Sequence, residues 1–129
     1  MTSRTLRPAF TILAGILLVG CTTTVGHAGP PPSKPPGGAV VVAQGIAFDR
    51  SQLDVPANKA FPLVFENRDG APHNVRIYDD GRGQPLFVGE VFGGPASRTY
   101  DVPALPAGMH RFRCDVHTEM LGTVVAGSG

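Results

Sequence analysis

From residue 39 onward the apolar residues come in short bursts rich in Val, Ile, Phe and Leu, separated by Pro, Gly, Asn and Asp. No stretch of ten or more residues carries a helical stripe, whereas several alternate with the period of two expected of a half-buried strand. The pattern predicts strands over Val40–Phe48, Gln52–Val55, Phe61–Asn67, Asn74–Tyr78, Leu86–Phe92, Arg98–Val102, Gly108–Cys114 and Thr123–Ala126. Turn chemistry falls between them at Pro56-Ala57-Asn58, Arg68-Asp69-Gly70, Asp79-Asp80-Gly81, Gly93-Gly94-Pro95 and Pro106-Ala107-Gly108. Short strands at this spacing predict an all-β domain, a sandwich or small barrel of about seven or eight strands.

Parity along the strands assigns their faces. On Gly108–Cys114, Arg111 and Arg113 share the solvent side with Met109, and His110, Phe112 and Cys114 share the core side. Leu63 and Phe65 likewise share one face, opposite Val64 and Glu66. Cys114 is therefore expected at the inner edge of the domain, at the end of a strand. His110 is expected to be a hydrogen-bonded core histidine.

The chain before residue 39 reads differently. Arg4 and Arg7 precede the apolar run Ala9–Val19, the layout of a secretory signal over residues 1–20. The run ends in Leu18-Val19-Gly20-Cys21, which resembles the lipobox of bacterial lipoproteins. That resemblance implies lipidation at Cys21 and a protein anchored outside the cytoplasm, on the periplasmic or cell-surface side of a membrane. Residues 21–38 hold five prolines and four glycines without apolar periodicity, the composition of a flexible tether. His27 lies in this tether and is expected to be solvated. The folded domain is assigned to residues 39–129.

Charge excludes one class of partner. Eleven Lys and Arg stand against ten Asp and Glu, and loss of residues 1–20 would remove Arg4 and Arg7. A chain so nearly neutral does not present a nucleic-acid surface. If Cys21 is lipidated, Cys114 is the one thiol left, in a compartment where unpaired thiols are oxidised. Metal ligation would both protect and use it.

The segment Cys114-Asp115-Val116-His117-Thr118-Glu119-Met120 places a thiolate, an imidazole and a thioether in one short loop after a strand. A second imidazole is available in Ala71-Pro72-His73-Asn74. Two His, one Cys and a weakly held axial Met form the donor set of a blue-copper electron-transfer site. Thiolate and thioether favour Cu(I), and imidazole accepts both oxidation states. Zinc is the inorganic rival, held by Cys and two His with water in the fourth place, but a thioether is a poor zinc ligand. A dinuclear copper centre would need a second Cys in the loop.

These residues resemble the cupredoxins, the group of plastocyanin, amicyanin, azurin and pseudoazurin. Pro72-His73-Asn74-Val75 is similar to the segment that bears their first His. Gly108-x-His110-x-Phe112-x-Cys114 is similar to the strand that leads to their Cys, with His110 where an aromatic residue is usual. Two residues separate Cys114 from His117 and two separate His117 from Met120, the short loop typical of amicyanin. The resemblance spans residues 40–126 and implies a Greek-key β-sandwich holding one type 1 copper ion. It also implies ring nitrogens from His73 and His117, the thiolate of Cys114, the axial sulfur of Met120, and a hydrogen bond from Asn74 that steadies the ligand loops.

The ligand loop departs from the pattern in Asp115, Glu119 and Thr118, the last standing where Pro is often found. The two carboxylates would favour Cu(II) and lower the potential, or simply face water. Pro85-Leu86-Phe87 is a candidate apolar docking patch, or ordinary core. The expected function is single-electron transfer between membrane-associated redox proteins, by a monomer that is not an enzyme. The alternative is copper storage or delivery with the same ligands. An oxidase or reductase would need histidines for further copper sites, and the chain has four histidines in all.

Overall fold

The computed structural model describes residues 29–30, 32–79 and 83–127. The expectations for the signal at 1–20, for Cys21 and for His27 lie outside these residues. Within them the chain forms ten strands: β1 (Ala39–Ala43), β2 (Gln52–Pro56), β3 (Phe61–Asn67), β4 (Pro72–His73), β5 (Arg76–Tyr78), β6 (Pro85–Val88), β7 (Phe92–Gly93), β8 (Ala96–Val102), β9 (Gly108–Arg113) and β10 (Leu121–Gly127). One sheet has the order β1-β3-β8 and a second the order β2-β10-β9-β5-β6, while β4 and β7 form a separate short ladder. The pairs β1/β3 and β2/β10 are parallel and the others antiparallel.

The two larger sheets share one core, which makes the domain a β-sandwich. Val41, Leu63, Phe65 and Val102 enter it from the first sheet, and Leu53, Ile77, Phe112 and Val124 from the second. Phe48 bridges the layers, its ring centroid 6.4 Å from that of Phe65 and 5.1 Å from that of Phe112. The expected parity holds on β9, where His110 and Phe112 are buried and Arg111 and Arg113 exposed, and on β3, where Leu63 and Phe65 are buried. Met109 is exposed.

Three predicted strands are interrupted, each for a local reason. The run Val40–Phe48 ends at Ala43, and the chain turns through Gly45 and Ile46, both at positive φ, before Phe48 bridges back to Ala43. The run Leu86–Phe92 breaks at Gly89, which is buried against the backbone of Val75. A Cβ there would lie 2.9 Å from the Val75 carbonyl and 3.4 Å from the Tyr100 ring, so only glycine lets the two segments cross this closely. The run Asn74–Tyr78 starts later, at Arg76; the Val75 carbonyl still accepts the Gly89 N–H at 2.9 Å, and the buried Asn74 side chain donates to the Gly89 carbonyl at 3.1 Å. His73 belongs instead to β4, paired with Phe92 of β7. The short β4/β7 ladder thus carries His73 to the end of the sandwich where β9 delivers Cys114.

Candidate metal centre

The ligand loop is tied closed by its own backbone. Leaving β9, the Cys114 N–H donates to the Met120 carbonyl at 2.9 Å, and the Met120 N–H donates to the His117 carbonyl at 3.1 Å. Cys114 and Met120 are buried, and His117 is half-buried at the rim. From the other side of the cluster comes His73, fully buried, from β4.

The two imidazoles address the sulfur symmetrically. His73 Nδ1 and His117 Nδ1 each lie 3.9 Å from Cys114 Sγ, and the ring centroids are 4.6 Å apart with the planes at 47°. The ligand atoms of these three residues all fall within 4.8 Å of one another. First-row metal bonds of about 2.0 Å to nitrogen and about 2.3 Å to thiolate span such a gap when they open to roughly 130°, wider than a tetrahedral angle. An opened His2Cys arrangement, with a methionine buried in the same loop, fits one type 1 copper ion. The structure therefore gathers His73, Cys114 and His117 as expected, and Met120 closes the loop that holds Cys114 and His117.

Asn74 stands behind the cluster and is fully buried. Its Oδ1 accepts the backbone N–H of Asp115 at 2.8 Å, and its Nδ2 donates to Asp115 Oδ2 at 2.9 Å and to the Gly89 carbonyl at 3.1 Å. One amide thereby joins the residue after His73, the residue after Cys114 and the Gly89 crossing.

Asp115 does not simply face water. Its carboxylate accepts from Arg76 Nη1 at 3.0 Å and from the Tyr78 hydroxyl at 3.4 Å, with Arg113 Nε 4.0 Å away. Burial pushes its pKa up, but the bonds from Asn74 and Arg76 and the charges of Arg76 and Arg113 win, and the net shift is downward. Glu119 is exposed and accepts from its neighbour Thr118 at 3.3 Å. Leu86 and Phe87 pack on the core, Phe87 edge-on to Tyr100 at 5.4 Å, so the segment 85–87 is core margin more than docking patch.

His110 is buried as expected. Its Nε2 lies 2.8 Å from the Pro106 carbonyl, whereas Nδ1 has no hydrogen-bond partner among the described residues, the Asp79 carboxylate being 3.9 Å away.

One residue of the site escaped the sequence reading. The carboxylate of Asp69 lies 3.0 Å from His73 Nε2, on the far side of the ring from the sulfur. The same carboxylate accepts the backbone N–H groups of Gly45 at 2.8 Å and Ile46 at 3.0 Å. These two backbone bonds, Ile46 first, hold the Asp69 pKa below its ordinary value against a smaller effect of burial, and the contact with His73 adds to them. The only signal was an Asp four residues before a candidate ligand, and turn chemistry at Arg68-Asp69-Gly70 already accounted for it.

Known proteins share this architecture. A reduced auracyanin from the photosynthetic bacterium Roseiflexus castenholzii superposes with a TM-score of 0.61 at 16% identity, over 70% of this chain and 97% of that one. Auracyanin A, a "blue" copper protein from Chloroflexus aurantiacus, gives 0.59 at 17% identity, over 70% of this chain and all of that one. Amicyanin from Paracoccus versutus gives 0.56 at 22% identity, over 72% and 84%. At these identities the likeness establishes the fold. No curated protein sequence matches the chain. The family model of the cupredoxin-like domain matches residues 12–126, and the chain belongs to that cupredoxin-like family.

Proposed function

We propose that the protein is a single-electron carrier in which His73, Cys114 and His117, with Met120 as axial donor, hold one type 1 copper ion. The observation that carries this reading is the pair of Nδ1 atoms, each 3.9 Å from Cys114 Sγ. When bound, the copper supplies a Cu(I)/Cu(II) couple. The protein holds both oxidation states in one arrangement, since the ligand loop is closed by backbone bonds and Asn74 ties it to the strand region that bears His73. Of the four donor residues only His117 is part-exposed, which makes its ring edge the port for electrons. Val116 in the ligand loop and Val91, next to the β4/β7 ladder, are exposed apolar residues suited to transient contact with a redox protein. With four donors from one domain, no position is left for a substrate, and the protein is read as a carrier and not an enzyme. The lipobox-like Leu18–Cys21 would confine that carrier to the outer face of a bacterial membrane.

The purified full chain loaded with Cu(II) is expected to show intense visible absorption and a narrow copper hyperfine splitting. Cys114→Ser abolishes both. A chain that binds copper and stays colourless overturns the reading. Copper retained through repeated reduction and reoxidation separates a carrier from a delivery protein, which hands Cu(I) to an acceptor.

A further inference from the structure

Two carboxylates stand beside the proposed copper centre, and their surroundings differ. Asp115 is adjacent to Cys114 in sequence, but arginines answer its charge: Arg76 at 3.0 Å and Arg113 at 4.0 Å. Among the described residues Asp69 has one ion-pair contact, the 3.0 Å approach to His73 Nε2, and its other partners are the uncharged N–H groups of Gly45 and Ile46. The neighbouring cation, Arg68, is engaged by Glu66 at 2.7 Å.

From this contrast we propose that Asp69 is the positioning residue of the centre, holding His73 as the Nε2–H tautomer and lowering the copper reduction potential with a charge that none of the described arginines cancels. The inference rests on the copper reading above. An ionised carboxylate can only accept a hydrogen bond, so its contact with Nε2 places the ring proton there. The lone pair of Nδ1 is then free on the side of the ring that faces Cys114 Sγ. The opposite tautomer would carry a proton where the metal must bind. Hydrogen bonding to a carboxylate also makes the imidazole a more basic donor. A negative charge one ring-width behind the ligand favours Cu(II) over Cu(I), because the attraction scales with the charge of the ion. The backbone bonds from Gly45 and Ile46 keep that charge in place, so the 44–47 turn acts on His73 through Asp69.

The test has two independent parts. In the copper-free wild-type chain, two-bond proton–nitrogen NMR in mildly alkaline solution is expected to show His73 as the Nε2–H tautomer. An Nδ1–H tautomer overturns the proposal whatever happens to copper. In the copper-loaded chain, Asp69→Asn is expected to raise the reduction potential, and Asp115→Asn to raise it by less. An unchanged or lower potential in D69N, or a larger rise in D115N, overturns the proposal. If D69N fails to fold, the wild-type tautomer decides. A wild-type chain that stays colourless with copper fails the copper reading itself, and the copper-free tautomer still tests the Asp69 contact.

Discussion

The side-chain amide of Asn74 grips Asp115 at both ends, accepting its backbone N–H at 2.8 Å and donating to its carboxylate at 2.9 Å. The two residues are 41 positions apart in sequence, and each directly follows a proposed copper ligand. The clamp therefore sets the spacing between His73 and Cys114 without touching the metal.

Removing the clamp is costly. In Asn74→Ala, three hydrogen bonds made by a buried side chain are lost at about 1 kcal/mol each. Urea denaturation of the copper-free chain is expected to show a destabilisation of about 3 kcal/mol. Asp115→Asn keeps the backbone donor and is expected to lose clearly less.

The turn that feeds Asp69 carries backbone strain. Ile46 is β-branched, exposed and at φ 57°, a region where branched side chains crowd the backbone. Asn tolerates this conformation, so Ile46→Asn is expected to raise stability by about 1 kcal/mol, read from the denaturation midpoint at constant slope. A loss of stability would show that Ile46 contributes packing that its exposure does not suggest.

Acid sensitivity is expected at Asp49. Burial raises its pKa, but the Arg50 guanidinium and the Val42 N–H outweigh it, and the folded value lies below the ordinary 3.8. In the window between the two values the unfolded chain holds more protons than the folded one. Stability from this group is thus complete above 3.8 and is lost as pH falls toward the folded value. Thermal melts across that acid range are expected to show Asp49→Asn with a shallower fall in Tm than wild type.

Gly122 is where β10 passes directly opposite Phe112 of β9. An added Cβ would be driven into the Phe112 ring and would lie 2.8 Å from the Ser51 carbonyl. Gly122→Ala is expected to destabilise the fold by about 1–3 kcal/mol in chemical denaturation. Phe112 is two residues before Cys114, so the copper-loaded variant is also expected to show an altered visible spectrum.

Much of this architecture is local and could be read along the chain. The two-residue period reveals strands because neighbouring side chains alternate between core and solvent, and β3 and β9 obey it. The ligand loop is legible because Cys114, His117 and Met120 lie within seven residues, a span one turn can close. His73 and Asn74 were legible through the resemblance of Pro72-His73-Asn74-Val75 to a known segment. Position alone would not have linked them to Cys114.

What tertiary structure decided are the contacts between distant segments. Whether Asp115 acts as a free charge depended on Arg76, which β5 sets opposite Arg113 in the adjacent strand. Whether Asp69 was a turn residue or a partner of His73 depended on the 44–47 turn folding over it and on the β4/β7 ladder placing the ring. Between that ladder and β5/β6, Gly89 approaches the Val75 carbonyl at a distance that leaves no room for a Cβ. Alternation and loop spacing are properties of neighbouring residues, so the sequence carries them openly. Hydrogen bonds across tens of residues form only after the sheets have paired and packed, and no local pattern announces them.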